Sequence, residues 1–197
     1  MAKLGIIVAS TRPGRVGLPV AQWFEEEARA HGGFDEIDLI DLAEVALPFM
    51  NEPSHPRLRQ YSHDHTRAWS ARVAAVDAFV FVMPEYNYGF NAELKNAIDY
   101  LHHEWQHKAL GFVSYGGVSA GTRAVQMLKQ VVTTVKMSPV VEAVSIPFVQ
   151  QFLDDEGRIV PNDVMTASAK TMLDELVRVE KSLRALRPVL ADGPHGA

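Results

Sequence analysis

Apolar residues follow two rhythms along this chain. In some stretches they run uninterrupted: Leu4-Gly5-Ile6-Ile7-Val8-Ala9, Ala78 to Met83, and Ala109 to Ser114. Such runs read as strands buried on both faces, as parallel strands are. Two further strands are predicted, one over Phe34–Leu42, where Phe34, Ile37, Leu39 and Ile40 are apolar, and one within Val140–Val149. Between the runs the apolar residues recur every three or four positions, which predicts helices. The first spans Leu18–Ala30, with Val20, Trp23, Phe24 and Ala28 inward, and His31-Gly32-Gly33 stops it. The next spans Ser62–Val76 around Trp69, Val73 and Val76, and a third spans Ala92–His103 around Leu94, Ile98 and Leu101. A fourth covers Ser119–Lys136, with Ala124, Leu128, Val131 or Val132, and Val135 on one stripe, and Pro139 ends it. The last runs from Asn162 or Asp163 to Leu186, with Met165, Ala169, Met172, Leu173, Leu176, Val179 and Leu183 at helical periods. Residues 43–60, with Pro48, Pro53 and Pro56, read as an irregular surface excursion of the kind found at interfaces and functional loops.

Strands alternating with helices imply parallel βαβ units with right-handed crossovers. Five of them make an α/β, flavodoxin-like sheet of order 2-1-3-4-5 with helices on both faces. No repeat or linker divides the chain, so one domain is expected over residues 1–187, followed by a flexible tail at 188–197.

In such sheets ligands bind beyond the carboxyl ends of the strands. Three loops there carry unusual chemistry. Ser10-Thr11-Arg12-Pro13-Gly14-Arg15-Val16-Gly17 precedes a helix, whose first N–H groups form an anion site. Hydroxyls and two arginines add donors, so the stretch reads either as a monophosphate cradle or as an exposed turn with solvated arginines. It is neither a P-loop nor a dinucleotide fingerprint. Pro84-Glu85-Tyr86-Asn87-Tyr88-Gly89 packs aromatics and an amide between a strand and a helix. It is suited to a flat ring system, or else it is a tyrosine-rich turn on the core. Ser114-Tyr115-Gly116-Gly117 is either a tight turn or a rim of bare N–H groups facing ring carbonyls.

Composition narrows the chemistry. The 197 residues contain no cysteine, which excludes thiolate nucleophiles, thiolate metal sites and disulfides, so redox activity requires a bound cofactor. A net charge of −5 argues against bulk affinity for nucleic acid or anionic membrane. No apolar run has the length of a signal-peptide core or a membrane span, and a cytoplasmic location is expected.

The loops together, with Leu94-Lys95-Asn96-Ala97-Ile98-Asp99, resemble the NAD(P)H-dependent FMN reductase family of flavodoxin-like proteins. The resemblance covers nearly the whole chain in order and spacing. It implies non-covalently bound FMN, with NADPH or NADH as hydride donor. Electrons then pass to a small-molecule acceptor (free flavin, quinone or azo compound) by ping-pong kinetics. It also implies a homodimer or homotetramer. By matching positions, Ser10, Arg12, Arg15, Val16 and Gly17 are candidates for the phosphate. Pro84, Glu85, Tyr86 and Asn87 line the isoalloxazine and ribityl region, and Ser114, Tyr115, Gly116 and Gly117 lie by the pyrimidine end. No side chain is expected to act as a catalytic nucleophile, and Glu85 and the tyrosines read as positioners. Many relatives have Pro where this chain has Asn91, a departure that reads as minor.

Other residues carry weaker signals. His102, His103 and His107 with Glu104 miss the His-Glu-x-x-His spacing and read as a solvated or interface cluster without metal. Lys95 and Asp99 form a helical ion pair or support the ring loop from beneath. Trp69 and Trp105 read as core or, alternatively, as a subunit interface. A flavodoxin-type electron carrier is the competing function; the arginines in the first loop and the modest charge favour an enzyme.

Overall fold

The computed structural model describes residues 2–187, so the expectation for the 188–197 tail lies outside the described residues. Strands β1 (Lys3–Val8), β2 (Glu36–Asp41), β3 (Ala78–Pro84), β4 (Ala109–Tyr115) and β5 (Ser138–Ile146) form one parallel sheet of order β2-β1-β3-β4-β5. Helices α1 (Gly17–His31), α2 (Leu42–Val45), α3 (Asp64–Ala74), α4 (Ala92–Asp99), α5 (Thr122–Thr134) and α6 (Asp163–Leu183) connect or follow them.

Successive strand residues point to opposite faces, and both faces are covered. Leu4, Ile6, Val8, Val80 and Val82 pack with Val20 and Phe24 of α1 and Met172 and Leu176 of α6. Ile7, Phe79, Phe81 and Phe112 pack on the other side with residues of α3, α4 and α5. This two-sided burial is why the strands read as unbroken apolar runs.

Element ends differ from the periodicity for local reasons. The helix expected to reach His103 stops at Asp99, and a 3-10 turn follows at His103–Trp105. Two indoles take carbonyls of its last turn: Trp69 Nε1 donates to Ala97 O (2.9 Å) and Trp105 Nε1 to Ile98 O (3.1 Å). Both tryptophans are buried and meet edge to face, so they belong to the core and not to a subunit interface. The fifth strand starts at Ser138 and carries Pro139, which an edge strand tolerates. The 43–60 excursion begins with the unexpected turn of α2. It is tied down by Tyr100 Oη donating to Pro48 O and Asn51 Oδ1, and by Asn96 Nδ2 donating to Pro48 O. Lys95 and Asp99 form the ordinary ion pair. No helix among the described residues is long and apolar enough to cross a membrane.

At the amino ends of the strands, Lys108 is buried against the end of α3. Its Nζ donates to Val73 O (2.7 Å) and Ala74 O (3.3 Å) and lies 5.5 Å from the Phe79 ring centroid. Burial, reinforced by Arg187, pushes its pKa down to about 7. Between pH 7 and the ordinary lysine range the unfolded chain therefore binds the extra proton, and stability rises with pH. One such proton corresponds to a slope of about 1.4 kcal/mol per pH unit. Lys108→Met should flatten that rise in urea titrations run from pH 7 to 10; an unaltered slope would show that Lys108 titrates normally.

Candidate cofactor site

Four of the five carboxyl-edge loops, those after β1, β3, β4 and β5, converge on one cavity of about 410 Å³. Its walls are Arg12 and Val16, then Pro84 to Tyr86, then Tyr115 to Gly117, and finally Phe148 to Gln151. The first three groups come from the loops singled out in the sequence. The fourth follows β5 and carried no motif, although its position at the same sheet edge was implicit in the strand order.

The first loop is shaped from beneath. Arg15 forms an ion pair with Asp41, at the end of β2, and donates to Ser10 O (2.7 Å). Its guanidinium is thus committed inward, and Arg12 is the arginine that lines the cavity. Ser10 is buried, with Oγ 3.1 Å from Tyr86 Oη. Thr11 Oγ1 donates to Glu93 Oε1 (3.0 Å). Asn91 is buried as well: its Nδ2 donates to Ala9 O (2.7 Å) and Glu93 Oε2 (2.8 Å). The amide therefore bolts α4 to the end of β1, a bond that proline could not make.

The loop after β3 closes on itself. Tyr86 and Gly89 exchange two backbone bonds of 2.9 Å, and Asn87 and Tyr88 between them have positive φ (48° and 71°), as a type I′ turn requires. Tyrosine is a poor choice there, and Arg123 of α5 compensates, with its guanidinium 3.7 Å from the Tyr88 ring centroid. Arg123 Nε also donates to Glu85 Oε1 (2.6 Å), and its backbone N–H donates to Glu85 Oε2 (3.2 Å). The α5 N-terminus has no side-chain cap of its own, so Glu85 serves as one from another loop. Burial opposes ionisation of Glu85, but hydrogen bonds from Arg123 and Ser119 outweigh it and hold the carboxyl below its ordinary pKa. Glu85 is thus a carboxylate engaged in structure. Asn87, at the turn, does not line the cavity.

The loop after β4 is pinned to its neighbours. Ser114 Oγ donates to Ala120 O (2.8 Å), Gly116 N–H to Ile146 O (3.3 Å), and Phe148 N–H to Gly117 O (3.2 Å). Ser114 therefore shapes the loop and stays out of the cavity, and the Gly116 N–H is already engaged.

Two observations fit a ligand with a phosphate and a flat ring. The α1 N-terminus has neither a side-chain cap nor an acidic residue in its first turn, which leaves its N–H groups for an anion. The Tyr115 hydroxyl is buried beside Ser10 without a hydrogen bond of normal geometry, and burial pushes its pKa up. A Cβ on Gly17 would stand 2.5 Å from that hydroxyl, so glycine is needed for Tyr115 to reach the start of α1. A second cavity of about 400 Å³ lies between α2 and α4, but of the first loop it holds only Thr11.

A doubly wound parallel sheet with a ligand cleft at its carboxyl edge defines a flavodoxin-like α/β protein. The sequence profile of the NADPH-dependent FMN reductases matches residues 2–151, and the chain belongs to that family. It is 40% identical over 149 residues to an NAD(P)H-dependent FMN reductase of Schizosaccharomyces pombe, covering 74% of each chain. It is 33% identical over 104 residues to an NAD(P)H:quinone oxidoreductase of Solanum tuberosum, covering 49% of each. The fold resembles that of FerB, a flavoenzyme NAD(P)H:(acceptor) oxidoreductase of Paracoccus denitrificans, with a TM-score of 0.72 at 18% identity, covering 92% of this chain and 98% of that one. The class is therefore oxidoreductase, and the cofactors of the family are FMN and NAD(P)H.

Proposed function

We propose that FMN lies in the part of the 410 Å³ cavity walled by the first three loops, and that the protein oxidises NAD(P)H with a second, small-molecule acceptor. The observation that carries this reading is the convergence of an uncapped helix N-terminus, an arginine and two ring-sized loops on one cleft. Arg12 and the first N–H groups of α1 would take the phosphate, with Ser10 and Gly17 shaping that end. Pro84, Glu85 and Tyr86 would hold the ring from one side, and Tyr115 and Gly116-Gly117 would form its rim, with donation to a ring oxygen falling to Gly117. Bound there, FMN would supply the redox chemistry, hydride transfer from NAD(P)H and two-electron reduction of free flavin, a quinone or an azo compound in a ping-pong cycle. The protein's own part is to bind, orient and exclude water, since no side chain in the cleft needs to act as nucleophile or proton carrier.

Anaerobic stopped-flow mixing of the FMN-loaded protein with NADPH tests this reading. Rapid bleaching of the flavin's visible absorbance is expected; a flavin that stays oxidised over many seconds would identify a carrier. Arg12→Ala should raise the FMN dissociation constant about tenfold or more, as loss of a charge-assisted contact does, without changing the melting temperature of the apoprotein. Unchanged affinity would remove Arg12 from the site. Tyr115→Phe should act in opposite directions on two measurements. Removing a buried hydroxyl that has no hydrogen bond of normal geometry should stabilise the apoprotein by up to about 1 kcal/mol, and FMN should bind less tightly. Equal losses in both would show that the hydroxyl serves the fold alone.

A homo-oligomer is part of the same reading. It is supported by Phe49 and Leu58, which are 84% and 59% exposed on the 43–60 excursion. Light scattering that finds only monomer at micromolar concentration would overturn it.

A further inference from the structure

We infer that Phe148 is a specificity-determining residue for the second substrate, forming the apolar wall that admits flat, carbonyl-bearing aromatic acceptors. The inference rests on the first three loops holding FMN, with Phe148 on the remaining wall of the cavity. Two unfavourable features coincide at this residue. Its backbone is left-handed (φ 46°, ψ 49°), a conformation that disfavours every side chain and suits only glycine or asparagine well. Its side chain is 50% exposed although aromatic. The residues around it turn inward again at once: Val149, which follows, packs into the core, and Ile146, two positions before, is fully covered, whereas Pro147 is exposed.

The strained conformation is held in place. Phe148 N–H donates to Gly117 O (3.2 Å), and Gln151 N–H donates to Phe148 O (2.9 Å). The residue is therefore fixed to the glycine rim that would border the flavin. An outlier that is over-determined by its surroundings and lines a cavity points to a role there, since the core gains nothing from it.

The surrounding chemistry names the ligand class. Gly116 and Gly117 present no side chains, so a flat molecule can approach closely. Gln150 and Gln151 line the same wall and carry amides able to bond carbonyl oxygens. No charged side chain lies on the Phe148–Gln151 wall; the cavity's arginine, Arg12, comes from the first loop. An aromatic ring with two amides suits a neutral quinone or a flavin ring better than an inorganic anion, for which this wall supplies no positive charge.

The test compares Phe148→Ala, Phe148→Gly and Phe148→Trp with the wild-type holoenzyme at saturating NADPH. The acceptors are menadione and ferricyanide, the latter consumed at two ions per NADPH. In the Ala and Gly variants the KM for menadione should rise about tenfold, the scale of one lost aromatic contact. The ferricyanide parameters and the FMN dissociation constant should stay within about twofold, a change too small to count as a lost contact, and Trp should restore the menadione KM. A readout independent of turnover is the binding of 2-naphthol, which cannot be reduced, followed by its perturbation of the flavin band; it should weaken in parallel. The apoprotein of the Gly variant should melt no lower than wild type, because the strain is relieved. A menadione KM that rises no more than that of ferricyanide would overturn the inference, as would loss of FMN in the variants, which would make Phe148 part of the cofactor site. Failure of the wild-type protein to bind FMN would instead defeat the reading of the cavity itself, and this inference with it.

Discussion

Gly121→Ala should be the most damaging single substitution near the cleft, destabilising the apoprotein by about 3 kcal/mol in urea titration and releasing FMN. The residue precedes α5 with φ at 82°, where a Cβ meets its own backbone at a cost of about 1–2 kcal/mol. The added carbon would also stand 2.8 Å from Ser114 Cβ, 2.9 Å from Tyr115 N and 3.1 Å from Tyr115 O. Two of these neighbours are backbone atoms of β4 and cannot rotate aside, so overpacking adds about 1–3 kcal/mol. Relief can come only by lifting α5 off the end of β4, and that displaces the rim at Tyr115 to Gly117. A midpoint close to wild type would mean that α5 does not begin against β4 as described.

Glu85→Ala is expected to rank second, for a different reason. The carboxylate joins the loop after β3 to the start of α5, accepting from Arg123 Nε and from the Arg123 backbone. Its side chain is nearly buried, while that of Arg123 is 41% exposed. Water can therefore rescue the guanidinium once Glu85 is gone, and the loss should be about 2 kcal/mol, well below that of a fully buried pair. The larger effect should fall on the cofactor. Without Glu85 and its hold on Arg123, the turn carrying Tyr88 loses its partner, and FMN affinity should fall by more than the affinity lost in Arg12→Ala. The pair also predicts a pH dependence. Because the folded-state pKa of Glu85 is lowered, its contribution is complete above the ordinary carboxylate range and is lost as pH falls below that range and through the lowered folded value. Glu85→Gln should remove that acid-side loss. A Glu85→Ala protein with wild-type stability and FMN affinity would show that the two loops do not depend on each other.

These two residues illustrate how unevenly the site could be read. Glu85 stood inside a recognisable segment, but its role as a cap for α5 depends on Arg123, thirty-eight positions away. Arg123 itself lay unremarked on the polar side of a predicted helix, where a charge is ordinary. Asn91 read as a minor departure, although its amide makes a buried bond to Ala9 O across eighty-two positions. Arg15 and Arg12 were indistinguishable in the first loop until Asp41 drew one inward. Trp69 and Trp105 had two readings, and burial decided for the core.

The sequence by itself determined the five strands and their helices, the order of the sheet, and the three motif-bearing loops at its carboxyl edge. Those features follow from hydrophobic period, from the handedness of βαβ crossovers and from the strand order common to five-stranded flavodoxin-like sheets, which are local or rule-bound. Only the tertiary structure decided which arginine faces the cleft, what holds the Tyr88 turn, where α4 ends, and that Phe148 stands at the wall. Each of those outcomes depends on a partner brought near by folding, and a single chain carries no mark of which distant residue its side chains will meet.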